Sequence, residues 1–593
     1  MGPSYSTNTN PQQAVRRIRL YFLLVVLALG VFWVRAFYLQ IIRHDHYVQA
    51  ARQDQLKEYE IPAARGIIRA HNGNDIVPIV LNQKLYTIYA DPALIKDADK
   101  AAEMLADELG GSESDYKKKL TAKGTRYVVI AKKVEDSVRK AILNHKFPGI
   151  GAQEVTYRTY PNGSLAAQLL GFVNDEGAGV YGIEQALNDK LSGKAGQLKA
   201  VTDINGVPLA ANSDNIRIAP VPGSDVVLTI DVAMQKRLEL LLQQHVERSK
   251  SDRGSALILD PNTGAIKAMA NWPTFDPNKY SEVEDPAVFN NGAVATPLEV
   301  GSSMKPLTAA AAIDLGVVRA DTTYYDPAVW EIDGSKITNV EGGRTPGQRS
   351  IAELLDLSIN TGAAWLLMQM SKPGGTDITK EGREKWYDYM VNRFRFGKAT
   401  GIEQGYEAEG IVPHPNNGDA RNLTYANTTF GQAMTATPLQ MAAAYAAMLN
   451  GGTYYQPRLV DKIIAPDGTE TAFEPKVLAE NVVKPSTSEA MRPLLEYVVE
   501  NHSIGSRFDQ SVYSVGGKTG TAQVPGPDGR YKESDYNGTY VGFVGGDKPE
   551  YIISIVIYEP KIPGYAGSVA AQPLFADLAE MLIHNFGVSP RSR

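Results

Sequence analysis

Apolar residues crowd the amino end of the chain. From Leu20 to Val34 the run LYFLLVVLALGVFWV carries no charge, and beyond Arg35 it continues through AFYLQII to Ile42. As an α-helix the stretch Leu20–Ile42 reaches about 35 Å, enough for a hydrocarbon core of about 30 Å with some tilt. One transmembrane helix is therefore predicted over 18–42, behind a tail of residues 1–17. Arg16, Arg17 and Arg19 precede the run and no acidic residue occurs before Asp45, so the positive-inside bias puts the tail in the cytoplasm and the rest outside. The run is long and no small-x-small cleavage site follows it, which favours an anchor over a removed signal peptide. Arg35 reads either as a side chain snorkelling to the outer headgroups or as a contact with another membrane protein.

After the anchor the period changes twice. Residues 43–60 are polar with helical spacing and read as a juxtamembrane stalk. Across 61–220, β-like runs such as YTIYA and RYVVIA alternate with amphipathic helical stretches such as KDADKAAEMLADELG, the pattern of an α+β pedestal domain. A last unit, 221–593, opens with a strand and helix, DVVLTIDVAMQKRLELLL, and then GSALILDPNTGAIKAMA, two apolar runs across a turn. Near its end TYVGFVGGDKPEYIISIVIYEP repeats the strand–turn–strand pattern, ahead of the helical AAQPLFADLAEMLIHNF. Strands from both ends flank a helical middle, so the fold class is α+β: one antiparallel sheet assembled from distant segments, flanked by helices, with a helical subdomain inserted.

Composition narrows the chemistry. Hydrophobic residues at 43% and charged residues at 21% of 593 describe globular material of several domains. A net charge of -6 gives no reason to expect nucleic acid. With no cysteine, disulfides and thiolate catalysis are excluded. His44 and His46 lack a third ligand nearby and read as solvated rather than metal-binding. The glycines of GAGVYGIEQAL lack the Lys-Ser/Thr ending of a phosphate loop and read as a turn before a helix. No cofactor is called for.

The candidate chemistry begins in EVGSSMKPLT, Glu299–Thr308, where Ser302 and Lys305 stand three apart. A serine hydroxyl needs a group to take its proton. Pro306 is tolerated only near a helix start, which puts Ser302 at a helix amino terminus, with Lys305 on the same face. To act as base, Lys305 must be brought from about 10.4 toward neutrality, which burial and a second cation can do. Lys518, in SVGGKTGTAQV on a probable strand, supplies the cation, and small residues there leave room for a ligand backbone. In LDLSINTGAAW, Ser358 can relay a proton and Asn360 can donate to a substrate amide. Ser114-x-x-Lys117 and Ser213-Asp214-Asn215 repeat two of these patterns, but in a charged helical face and a polar loop, outside the order Ser302-x-x-Lys305, Ser358-x-Asn360, Lys518-Thr519-Gly520.

Those three motifs in that order resemble the penicillin-recognising serine transpeptidases and β-lactamases. With anchor and pedestal, the chain resembles a class B penicillin-binding protein over nearly its whole length, in RGIIRAHNG from Arg65, RTYPNGSLAAQLLGF from Arg158, GVYGIEQ from Gly179, DPNTGAIKAMA from Asp260 and FGQAMTATPLQMA from Phe430. RFGKATGI and PDGRYKESDYNGTYVGF look most like the septal transpeptidase of cell division. Ala70, His71, Gly292 and Val300 depart from the residues usual in the family.

The resemblance implies a peptidoglycan D,D-transpeptidase that is trapped by β-lactams. Ser302 would attack a D-Ala-D-Ala stem peptide with Lys305 as base, and Ser358 would pass a proton to the leaving amine. Asn360 would orient the donor amide, and Lys518, Thr519 and Thr521 would meet the substrate carboxylate beside Gly520. The backbone N–H groups of Ser302 and Thr521 would form the oxyanion hole. Implied partners are a multi-pass membrane glycosyltransferase and division proteins. An elongation-specific transpeptidase, and a penicillin sensor or silent division scaffold, are the alternatives.

Overall fold

The structure, a computed structural model, describes residues 11–47, 56–201, 216–340, 345–417, 421–526 and 531–592. Two compact units emerge, Met1–Ala63 with Lys194–Val221, and Ala64–Gly193 with Pro222–Arg593. In the first, the helix Pro11–Phe37 runs into a π turn, Tyr38–Ile42, and the span Val15–Ile42 is long and apolar enough to cross a membrane. The Arg35 guanidinium sits 5.6 Å from the ring centroid of Tyr38, a cation–π contact that partly offsets a charge on an apolar helix. The same unit holds three antiparallel strands in the order Leu56–Ile61, Gly196–Val201, Ile216–Ile218. Residues 56–60, expected in a helical stalk, are thus extended: in LKEYEI, Leu56, Glu58 and Glu60 alternate with Lys57, Tyr59 and Ile61, and the ladder to 196–201 supplies the backbone bonds. The Ser213–Asn215 motif lies outside the described residues.

In the second unit, strands β1 (Ile68–Asn72) and β2 (Asp75–Ala90) form a hairpin, followed by helix α1 (Ala98–Leu109), β3 (Val128–Val134), α2 (Asp136–Asn144) and β4 (Ile150–Thr159). β3 and β4 both pair with β2, while α1 and α2 bury Ala101, Leu105 and Ile142 in one cluster with Ile88 and Ile130. Next comes β5 (Asp225–Asp231), parallel to β1 with Val226 beside Ile68, then α3 (Val232–Arg248) and the hairpin β6 (Arg253–Leu259)–β7 (Ile266–Trp272). The helical middle includes α4 (Lys305–Asp314), α5 (Ile351–Asp356), α6 (Asn360–Ser371) and α7 (Pro438–Leu449). Capping boxes begin α5, at Ser350 with Glu353, and α7, at Thr437 with Gln440. Strands β8 (Val460–Ile464) and β9 (Glu470–Ala472) then return to β5, giving the sheet order β9–β8–β5–β1–β2–β3. Here His71 Nε2 lies 3.2 Å from Asp461 Oδ2 and Ala70 is fully buried, which is how two of the unusual residues are accommodated.

Helix α8 (Pro485–Asn501), strands β10 (Ser514–Pro525), β11 (Tyr531–Gly545) and β12 (Pro549–Tyr558), and helix α9 (Gln572–Asn585) complete the chain. The five-strand antiparallel sheet β7–β6–β12–β11–β10 bears out the expectation of strands gathered from both ends of the unit. Successive side chains on a strand point to opposite faces. Accordingly Ala256 and Ile258 join a cluster with Leu238 of α3 and Leu574 of α9, whereas Leu257 and Leu259 join one with α4, α6 and α7. Both faces are covered, which explains why β6 and β12 read as unbroken apolar runs rather than alternating ones.

Candidate active site

Ser302 stands in a 3₁₀ turn, Gly301–Met304, that runs directly into α4 at Lys305. Pro306 is the second residue of that helix, where its missing N–H has no intrahelical partner to lose. Residues three apart eclipse one another in a 3₁₀ turn, and Lys305 Nζ lies 2.9 Å from Ser302 Oγ. Gly301 has φ +60, and a Cβ there would lie 2.7 Å from the Thr521 carbonyl oxygen. Its N–H donates to the Gly431 carbonyl at 3.1 Å. The serine's turn is thereby wedged between β10 and the 430s loop, with Val300 making none of the contacts that position it.

Lys305 is fully buried. Its Nζ reaches the Ser358 carbonyl at 2.6 Å, Asn360 Oδ1 at 2.8 Å and Ser358 Oγ at 3.1 Å. Asn360 Nδ2 donates to the Thr338 carbonyl at 3.0 Å, which turns Oδ1 toward the lysine. A neutral amine has two N–H groups and one lone pair. With two acceptor-only oxygens taking the N–H groups, the lone pair is left to the hydroxyls, of which Ser302 is nearer. Burial first, and then the positive charge of Lys518, hold Lys305 well below the ordinary lysine range. Ser358, at φ +55 between α5 and α6, takes a backbone conformation uncommon without glycine, and so presents both carbonyl and hydroxyl to Lys305.

Lys518, in β10 opposite Val541, is 1% exposed and burial pushes it down to about 8. Its Nζ donates to Thr519 Oγ1 at 3.2 Å, and Thr521 Oγ1 accepts from the Gly567 N–H at 3.0 Å. Where a Cβ on Gly520 would go lie the Val300 carbonyl and the Ser303 and Thr539 hydroxyls. That glycine lets the serine's turn, rather than a ligand, approach the strand. β10 is the outermost strand of its sheet, and an edge strand offers backbone groups to a further chain.

The motif residues thus converge: Lys305 ties Ser302 to Ser358 and Asn360, and the Gly301–Thr521 and Val300–Gly520 approaches bring β10 to the same turn. Ser114 and Lys117 do not take part, since Ser114 bonds Ser112 and Lys117 pairs with Asp99 on an exposed helix. Sequence reasoning missed Glu299. Its carboxylate accepts from the Ala433 N–H at 2.8 Å and the Tyr531 hydroxyl at 2.9 Å, clasping three segments around the turn, and burial raises its pKa. Its partners lie more than one hundred residues away, so no spacing signals them. Thr338, which fixes Asn360, was missed for the same reason. A buried amine poised on a hydroxyl beside an open strand edge is suited to acyl transfer.

Comparison with known proteins agrees. Residues 254–580 match the penicillin binding protein transpeptidase domain, and residues 60–228 the penicillin-binding protein dimerisation domain. The chain is 30% identical over 97% of its length to Stage V sporulation protein D of Bacillus subtilis, covering 87% of that protein. It is 27% identical over 95% of its length to peptidoglycan D,D-transpeptidase FtsI of Escherichia coli, covering 91% of it. Penicillin-binding protein 3 of Mycobacterium tuberculosis, solved in complex with aztreonam, superimposes with a TM-score of 0.65 at 26% identity, over 90% of this chain and 98% of that one. A transpeptidase domain preceded by a dimerisation domain and one apolar helix places this chain among the class B penicillin-binding proteins, to whose transpeptidase family it belongs.

Proposed function

We propose that this chain is the septal peptidoglycan D,D-transpeptidase of its cell, working through an acyl-enzyme on Ser302. Lys305 takes the hydroxyl proton as Ser302 Oγ bonds to the penultimate carbonyl carbon of a D-Ala-D-Ala stem. The developing oxyanion is met by the N–H groups of Ser302 and Thr521. The C–N bond to the terminal D-alanine then breaks, and the proton reaches its amine through Ser358. Asn360 orients the donor amide, and Lys518, Thr519 and Thr521 receive the terminal carboxylate beside Gly520. An amine from a neighbouring stem resolves the ester and forms the cross-link. A β-lactam acylates the same serine and stays, because its opened ring releases no diffusing leaving group. The observation that carries this reading is Lys305 Nζ, buried and 2.9 Å from Ser302 Oγ. The aztreonam complex of the mycobacterial relative supports the β-lactam step.

The tail 1–17 is cytoplasmic in this reading, the helix 18–42 anchors the chain, and the stalk 43–60, pedestal 61–220 and transpeptidase domain 221–593 lie outside. A multi-pass glycosyltransferase and division proteins meet the anchor and pedestal, which co-purification in mild detergent checks. A fluorescent penicillin should label the full-length protein and leave Ser302→Ala unlabelled; equal labelling of both would remove Ser302 from its role. Depletion should give filaments or chains of cells. Rounded cells would instead assign the chain to elongation.

A further inference from the structure

Asp356 sits where helix physics does not ask for it. It ends α5, and a carboxylate at a helix carboxy terminus opposes the helix dipole. Its side chain is 15% exposed, with Oδ1 3.4 Å from Nε2 of His502, the residue that caps α8. α5 packs on α8, and α8 packs along β10, the strand that carries Lys518. Two residues beyond Asp356, the Ser358 carbonyl holds Lys305.

The site contains two buried lysines, and the transpeptidase reading needs them in different states. Lys305 must be neutral to accept a proton, whereas Lys518 must be charged to meet a carboxylate. Two buried ammonium groups near one another do not both stay charged, and nothing in either side chain alone decides which gives way. We propose that Asp356 is the positioning residue that settles this: its carboxylate, held by His502, is the counter-charge that keeps the proton on Lys518 and leaves Lys305 as the neutral partner. Its charge acts on Lys518 against the effect of burial, whereas the charge acting on Lys305 is that of Lys518 itself.

The other charged groups around these elements are otherwise engaged. Glu496 of α8 pairs with Arg591 at 2.6 Å and accepts from the Ser514 hydroxyl, and Glu353 of α5 closes its own capping box. β11 places uncharged Val541 opposite Lys518. From α4 the group present is Lys305, and from α8 it is His502.

This inference rests on the transpeptidase reading, and its test separates the two. The rate of acylation by a carboxylate-bearing fluorescent β-lactam is measured on the full-length protein in detergent from about pH 6 to about pH 10. Loss of the Lys518 proton sets the alkaline limb, so removing the counter-charge should bring that limb to lower pH. Asp356→Asn is expected to lose at least about threefold in rate at pH 9 relative to pH 7 beyond the wild-type decline, and Asp356→Glu to keep the wild-type limb. His502→Lys, at a half-exposed site, sets a permanent cation against the carboxylate and should move the limb the same way. An unmoved limb in either variant that folds, or a loss equal at every pH, overturns the proposal. Absence of wild-type labelling overturns the underlying reading, and this inference with it.

Discussion

Lys305→Met is expected to slow acylation of Ser302 by about 10²- to 10⁴-fold, or about 3–5 kcal/mol of barrier, the range for loss of a positioned general base. Methionine fills nearly the same volume, so α4 should still pack against its neighbours. What disappears is the one group whose lone pair faces Ser302 Oγ. The Ser358 carbonyl and Asn360 Oδ1 lose their shared donor, at a cost of about 1–3 kcal/mol for each buried acceptor left unpaired. The thermal midpoint should therefore fall while the protein remains folded. A second signature distinguishes a base from a mere strut. In the wild type, falling pH returns a proton to Lys305 and should shut acylation down; in the methionine variant the residual rate should lose that acid limb. Stopped-flow labelling across pH reads both, and a rate within about tenfold of wild type would remove the lysine from the base role.

The parts of the site that were legible in the sequence are those whose geometry is local. Three residues of spacing and one proline placed Ser302 beside Lys305, because the i to i+3 relation holds in any helical turn. Lys518 read as a second cation only through its glycine-rich strand and the order of the motifs. The sheet β7–β6–β12–β11–β10 announced itself in long apolar runs, since both of its faces are buried. The parallel pairing of β1 with β5 did not: Ile68 and Val226 are separated by the whole α+β layer, and neither strand names its partner. Asp356 was hidden differently. In ELLDLS it occupies one polar slot among leucines and passes for the solvated face of a short helix, until α8 brings His502 to it. The residues around Arg65, Arg158 and Glu184 carried the resemblance, but the cluster they build is visible only in three dimensions.

That cluster gives the largest expected stability effect. Glu184 is fully buried, its Oε2 2.6 Å from Nη2 of Arg65 and its Oε1 2.7 Å from Nε of Arg158, with the two arginine side chains 9% and 4% exposed. The guanidiniums go on to Asn188 Oδ1 at 2.9 Å and to the Gly66 carbonyl at 2.7 Å, so one carboxylate ties β4, the segment before β1 and the helix Gly182–Ala186 together. Glu184→Gln keeps the shape and removes the only negative charge of the three. Two cations are then stranded out of water, and unfolding should become easier by about 3–5 kcal/mol, as when one partner of a buried pair is deleted. Because stranded charge rather than lost attraction causes the damage, removing all three charges in Arg65→Met, Arg158→Met, Glu184→Met should recover much of the loss. Arg158 Nη2 already lacks a hydrogen-bond partner among the described residues, so the native arrangement leaves room for such recovery. Urea unfolding followed by tryptophan fluorescence measures both variants. A midpoint for Glu184→Gln within about 1 kcal/mol of wild type, or a triple variant weaker than the single one, would show that the arginines are solvated enough to stand alone.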